Sequence, residues 1–307
     1  MAGKQKIAII GAGLMGHGIA QVFAVAGHDV AMTDPVEAAR QAAPGRISRN
    51  LAEMGLDPDA VHRVSLHADL AEAVTGADVV IEAALENMEL KQKLFAQIEA
   101  AAPAHAILAS NTSVMPITQI MQNIGDKSRA LGTHWWNPPF LVPLVEVVRT
   151  VDVSDKTVAT MMALLASVGK TPVEVKKDVP GFVGNRLQHA LWREAISIVE
   201  QGICDADMVD MVVKASFGRR LPVLGPLENA DMVGSDLTLA IHQQVLPYID
   251  SRPAPSPLLE KMVKEGKLGF KSGEGFRTWS AEEQNELRKK VLDHLMDMDA
   301  KDKSAKT

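Results

Sequence analysis

A single cysteine, Cys204, stands among 307 residues, so no intrachain disulfide can form and a reducing compartment, the cytoplasm, is expected. No apolar stretch approaches the ~20 residues that span a bilayer. The opening MAGKQKIAIIGAG runs within a few residues into a strand and a glycine turn, which leaves no room for the apolar core of a signal peptide. No membrane partner is expected. Lysine and arginine number 32 against 38 acidic residues, a net charge of -6, and no basic run exists to track a phosphate backbone. Nucleic acid is therefore not an expected partner. No His, Cys and carboxylate cluster has ligand spacing, so no metal is expected either. Internal repeats and low-complexity segments are also missing.

What is present is a globular mixture, 47% hydrophobic and 23% charged, long enough for two domains because single cores seldom grow beyond about 250 residues. Short apolar runs at 5–10, 29–33, 78–82, 106–109, 130–133, 144–148 and 172–175 alternate in part with helical patterns such as 14–26 and 90–101. That alternation predicts an α/β domain of Rossmann type, a doubly wound, largely parallel sheet wrapped by helices. The Pro-Gly turn in DVPGF, Asp178 to Phe182, closes it. Beyond it strand-like runs nearly vanish. The expected division is an NAD-binding domain over 1–178 and an all-helical domain for substrate and dimerisation over 179–307, its tail frayed from about Asp299.

Gly11, Gly13 and Gly16 spell G-x-G-x-x-G between the first strand and the first helix. One glycine makes the turn, one lets the backbone approach a pyrophosphate, and one lets helix and strand pack closely. The anion then sits on the helix N-terminus, beside Leu14 and Met15. Asp34 closes the second strand 18 positions after Gly16, where a carboxylate can accept from both ribose hydroxyls and would repel a 2'-phosphate. NAD is the expected cofactor. The plainer reading makes the glycines a packing turn and Asp34 a helix cap.

At Gly132 the chain reads GTHWWNPPFLVPLVEVV, and here it resembles the 3-hydroxyacyl-CoA dehydrogenase family over nearly its whole length. The resemblance implies that His134, in H-x-x-N-P with Asn137 and Pro138, is the general base and that Glu146, twelve positions on, orients it. SNTS, Ser110 to Ser113, resembles the segment whose last serine bonds the substrate oxygen, and VPGFVGNRL resembles the signature whose asparagine, Asn185, faces the substrate. Glu86 and Lys91, in ALENMELK, look like the family's pair beside the nicotinamide ribose; with Asn111 and Asn137 they complete the expected cofactor set. GKLGFKSGEGF, Gly266 to Phe276, is similar to the family's closing signature. A homodimer and a place in fatty acid metabolism are further implications.

The chemistry supports these roles independently. Oxidising a carbinol requires the hydroxyl proton to leave as the carbonyl forms, a task suited to a neutral imidazole with pKa ~6.5. A carboxylate on the other ring nitrogen fixes the tautomer and stabilises the cation. Glu146 lies inside the apolar strand PLVEVV, where an unpaired carboxylate would be costly, so a charged partner is expected. Plainer readings remain for Asn185, a helix-start residue, and for Trp135 and Trp136, simple core. His17, His28, His62 and His105 are assigned to structural or surface roles.

The chain departs from the family's CoA-binding pattern, a lysine-rich helical excursion after the second strand. Val36 to Leu66 contains no lysine, and Arg40, Arg46, Arg49 and Arg63 are offset by Glu37, Glu53, Asp57 and Asp59. SFGRRLPVLGP, in turn, carries Arg219 and Arg220, which could bind a carboxylate bidentately or merely decorate a helix end. The expected substrate is thus a small free hydroxy acid, with 3-hydroxybutyryl-CoA as the alternative and a non-catalytic NAD-binding structural protein as a second one.

Overall fold

The computed structural model describes residues 3–304. The strands are β1 (Lys6–Ile10), β2 (Asp29–Thr33), β3 (Val64–His67), β4 (Val79–Glu82), β5 (Ile107–Ser110), β6 (Ala130–Trp135), β7 (Leu144–Arg149) and β8 (Thr171–Val175). The helices are α1 (Leu14–Val25), α2 (Glu37–Glu53), α3 (Leu70–Val74), α4 (Met88–Ala101), α5 (Ile117–Ile120), α6 (Asp155–Ser167), α7 (Gly184–Glu200), α8 (Ala206–Ala215), α9 (Pro226–Val233), α10 (Ser235–Val245), α11 (Pro257–Lys264) and α12 (Ala281–Ser304).

The strands form one sheet in the order β3-β2-β1-β4-β5-β6-β7-β8. Every neighbouring pair is parallel except β6 and β7. Side chains alternate between faces: Ile7 and Ile9 of β1 enter one apolar core, with Phe23, Ile47 and Leu51, while Ala8 and Ile10 enter the other, with Phe95 and Ile98. Burial on both faces is why these strands read as continuous apolar runs. The chain order reverses between β1 and β4, and the crevice beyond the C-terminal strand ends at such a switch point is where doubly wound sheets take ligands.

Two compact units divide the described residues. The first runs to Asn185 and includes Leu292 onward; the second is Arg186–Val291. The break thus falls seven residues beyond the expected 178, inside α7. Asp178, Val183, Gly184 and Asn185 are each hydrogen-bonded to the sheet unit, which keeps the start of α7 with it. The second unit is helical, as expected, and leaves many apolar side chains uncovered, including Met208, Met211, Val212, Leu237, Leu239 and Val245. Helix α12 continues through Ser304, where fraying is expected from about Asp299; the last three residues of that tail lie outside the described residues, as do Met1 and Ala2 at the other end.

Candidate active site

Gly11 ends β1 at φ 108°, and a Cβ there would lie 2.6 Å from the carbonyl oxygen of Ala83. Gly16 is tighter: its Cβ would sit 1.8 Å from the oxygen of Gly11. A Cβ on Gly13 would meet nothing within 4 Å. Gly13 precedes α1 with no side-chain cap, no acidic residue occupies the first turn, and Leu14 is exposed. Two glycines are therefore demanded by the protein's own packing, while the third leaves open space in front of a helix N-terminus whose N-H groups seek an acceptor. A pyrophosphate fits that cradle. From below, His17 closes on the turn, its Nδ1 2.8 Å from the carbonyl oxygen of Gly13. Burial, with help from Arg46 and Arg49, outweighs that bond and pulls the His17 pKa down, so the ring is a neutral structural support.

Asp34 follows β2. Its Oδ2 accepts from the N-H of Ala12 and its Oδ1 from that of Val36, both at 2.8 Å. The carboxylate thus pins the glycine turn to the segment after β2, and each oxygen keeps lone-pair capacity for a further donor. Two arginines of the following stretch are turned inward here: Arg40 donates to the carbonyl of Asp34 at 2.6 Å and Arg46 to that of Ala12 at 3.4 Å.

Lys91 is paired with Glu82 and not with Glu86. Its ammonium is fully buried and donates to Glu82 Oε1 at 2.6 Å and to the carbonyl of Ala84 at 3.4 Å. A buried ammonium needs an anion within reach, and Glu82, closing β4, is also fully buried. Ser110 Oγ and the N-H of Ala84 complete that carboxylate's bonds at 2.6 and 2.7 Å. Lys91 therefore anchors the β4 loop through Glu82 and the carbonyl of Ala84. Glu86, on that loop, instead accepts from Thr112 Oγ1 and from the N-H of Ser113, both at 2.8 Å.

Across the antiparallel β6–β7 pair, His134 lies directly opposite Glu146. Both are buried, and His134 Nδ1 stands 2.7 Å from Glu146 Oε2. A neutral ring then donates its Nδ1-H to the carboxylate, leaving Nε2 to take a proton. Trp136 and Phe182 flank the imidazole at ring distances of 5.3 and 5.5 Å. Glu146 Oε1 meanwhile accepts from the N-H groups of Val183 and Gly184 at 2.9 and 3.0 Å, so one carboxylate holds both the histidine and the start of α7. Burial alone would raise the Glu146 pKa; the bonds from His134, Gly184 and Val183 outweigh it and hold the carboxyl below its usual 4.5. Since the folded value is the lower one, this group's contribution to stability is complete above the usual carboxylate range and is lost as pH falls through the folded value.

Ser113 follows β5, the parallel neighbour of β6, and so rises from the same sheet edge as His134. Its carbonyl accepts from Asn185 Nδ2 at 2.8 Å. Asn111 Oδ1 accepts from the N-H of Trp135 at 3.0 Å and laces the two strand ends together. The structure thus brings His134, Glu146, Ser113, Asn185, Asn111 and Glu86 into one hydrogen-bonded constellation at the strand ends. Asn137 is exposed just after β6. Arg219 and Arg220 belong to the second unit, exposed at the end of a 3-10 turn, Phe217–Arg219, and just after it, their guanidinium groups without a hydrogen bond or ion pair among the described residues. Sequence reasoning missed Glu82, Thr112 and Asp178, and it gave His17 no part in holding the turn. An acid closing the apolar strand VVIE is the one signal that could have found Glu82.

Two family models match: the NAD binding domain of 3-hydroxyacyl-CoA dehydrogenase over residues 6–179 and the C-terminal domain of the same enzyme over 181–279. The chain is 37% identical over 291 residues to 5-formyl-3-hydroxy-2-methylpyridine 4-carboxylate 5-dehydrogenase of Mesorhizobium japonicum, covering 92% of this chain and 94% of that one. A solved structure of a dehydrogenase of that name, described as an NAD+ dependent dismutase, superposes with a TM-score of 0.89 at 34% identity, covering 96% and 97% of the two chains. The (S)-3-hydroxybutyryl-CoA dehydrogenase of Ralstonia eutropha superposes with a TM-score of 0.75 at 35% identity, covering 91% and 100%.

Proposed function

The chain belongs to the 3-hydroxyacyl-CoA dehydrogenase family, and from that premise we propose that His134 is the general base in oxidation of a secondary 3-hydroxyl, with a small free hydroxy acid as the preferred substrate. The chain is an NAD-dependent oxidoreductase acting on CH-OH groups, so a purely structural role is set aside. The observation that carries the proposal is the buried 2.7 Å contact between His134 Nδ1 and Glu146 Oε2 at the sheet edge that also holds the glycine turn.

NAD, when bound, supplies the hydride acceptor. Gly11, Gly13, Leu14, Met15 and Gly16 would hold its pyrophosphate and Asp34 its ribose, with Glu86, Asn111 and Asn137 toward the nicotinamide end. His134 Nε2 removes the hydroxyl proton as the carbonyl forms, and Glu146 compensates the positive charge that then develops on the ring. The Ser113 hydroxyl and the second amide hydrogen of Asn185 serve the reacting oxygen as its charge changes. In the reverse direction the imidazolium returns the proton.

Three observations favour a free acid. The stretch 36–66, where CoA would be received, offers no lysine, and Arg40 and Arg46 are engaged with the cofactor turn. Arg219 and Arg220 remain available for a carboxylate. The pyridine carboxylate dehydrogenase also superposes more closely than the CoA enzyme. The Ralstonia likeness keeps the thioester as the second reading. The test compares kcat/KM for acetoacetate and other free keto acids with that for acetoacetyl-CoA, in the wild type and in Arg219→Ala and Arg220→Ala. The free acid should be preferred, and losing the arginine that binds it should lower kcat/KM by about 10-fold or more. Efficient thioester turnover untouched by either change would reverse the assignment.

A homodimer built on the helical unit completes the proposal. Met208, Met211 and Val212 of α8 and Leu237 and Val245 of α10 are uncovered, and apolar exposure of this kind often marks an interface. Sedimentation at micromolar concentration should give twice the chain mass; a monomer would contradict it.

A further inference from the structure

The segment from Asp178 into the first turn of α7 grips the Ser113 loop twice. Asp178 Oδ1 accepts from the N-H of Ile117 at 3.0 Å and its Oδ2 from that of Thr118 at 2.7 Å. These are the first N-H groups of α5, whose own N-cap position, Pro116, offers no side-chain acceptor. Asp178 is thus a cap delivered from 60 residues away. Seven residues later, Asn185 takes the carbonyl of Ser113 itself. Between these two grips the strap touches the histidine side: Phe182, buried and at φ 47°, sets its ring 5.5 Å from that of His134, while Val183 and Gly184 donate to Glu146. A non-glycine residue held at positive φ is backbone that persists only where its surroundings enforce it.

From this we infer that Asp178 is a positioning residue for the reaction: through the strap 178–185 it fixes Ser113 relative to His134. The inference rests on the reading of Ser113 and His134 given above. Ser113 sits on a loop, and a loop alone defines a hydroxyl position poorly. Glu86 holds the N-H of Ser113 and Asn185 holds its carbonyl, while at the downstream end, where Ile117 is buried in the core, Asp178 holds the N-H groups of 117 and 118. Releasing that end lets the serine drift from the geometry that the transferring hydride requires, and a displacement of about 1 Å can cost about 100-fold in rate.

The experiment is a double-mutant cycle between Asp178→Asn and Ser113→Ala. It is read with acetoacetate or acetoacetyl-CoA, whichever the wild type turns over faster, alongside NADH binding by fluorescence. Asparagine keeps the shape of Asp178 and one acceptor oxygen but turns an NH2 on the second N-H. Asp178→Asn should lower kcat about 10- to 100-fold with NADH affinity unchanged. In the Ser113→Ala background the same change should cost less than about 3-fold, because the group it positions is gone. Asp178→Glu, which retains both acceptors on a longer arm, should recover part of the rate. Equal losses in the two backgrounds, or a kcat for Asp178→Asn near that of the wild type, would overturn the inference while leaving Ser113 in its role. Loss of NADH binding in both Asp178 variants would make the residue a general structural one and overturn it too. If Ser113→Ala alone leaves kcat unchanged, the reading of Ser113 fails and the inference falls with it.

Discussion

Replacing His134 by Gln should lower kcat by about 10²- to 10⁴-fold, roughly 3 to 5 kcal/mol of barrier, while NADH still binds within about threefold of the wild type. Glutamine fills much of the imidazole's space but cannot take or return a proton. The cofactor turn is held by Asp34, His17 and its own glycines, and His134 bonds instead to Glu146, so binding has no reason to change. Glu146→Gln should fall in the same range for a different reason. Its Oε1 can go on accepting from Val183 and Gly184, but an NH2 then faces His134 Nδ1 where Oε2 stood. The ring nitrogen must become the acceptor, which moves the ring proton to Nε2 and leaves no base facing the substrate. Near-normal turnover in either variant, measured by NADH absorbance, would refute the relay.

The second large effect falls on the cofactor. Gly16→Ala puts a methyl group 1.8 Å from the oxygen of Gly11, a backbone atom held in turn by the N-H of Gly11 on Thr33 and by the close approach of Ala83. Neither side can give cheaply, so the turn must open. Strain of about 3 kcal/mol delivered to the pyrophosphate cradle weakens NADH by at least about 100-fold. Gly13→Ala differs, since its methyl meets no protein atom and could clash only with a ligand. Fluorescence titration with NADH tests the first case; a Gly16→Ala protein binding NADH within threefold of the wild type would exclude this account of the turn.

Much of this site is legible in the sequence because its parts are local or periodic. The glycine turn, Asp34 and the apolar strands each announce themselves within a βαβ unit. His134 and Glu146 lie twelve residues apart because they face each other across a hairpin, although the direction of β7 is not evident from an apolar run, which looks alike in either sense. β3 escapes notice for another reason: at the sheet edge, VSLH is half-buried and only four residues long, so its alternation is too short to stand out and no continuous apolar run marks it. The partner of Lys91 is invisible because burial, and not spacing, chose Glu82 over Glu86. Asp178 reads as one residue of a Pro-Gly turn; its role depends on loops 60 residues apart in the chain meeting in space.

The most direct test of the central claim is the pH dependence of single-turnover hydride transfer in both directions, in the wild type and in His134→Gln. A base that takes a proton on oxidation must start neutral, so the oxidation rate should fall as pH falls. The same group must start as the cation for reduction, so that rate should fall as pH rises, and both limbs should vanish in His134→Gln. Limbs of the same sense in the two directions, or limbs that survive the loss of His134, would contradict the account.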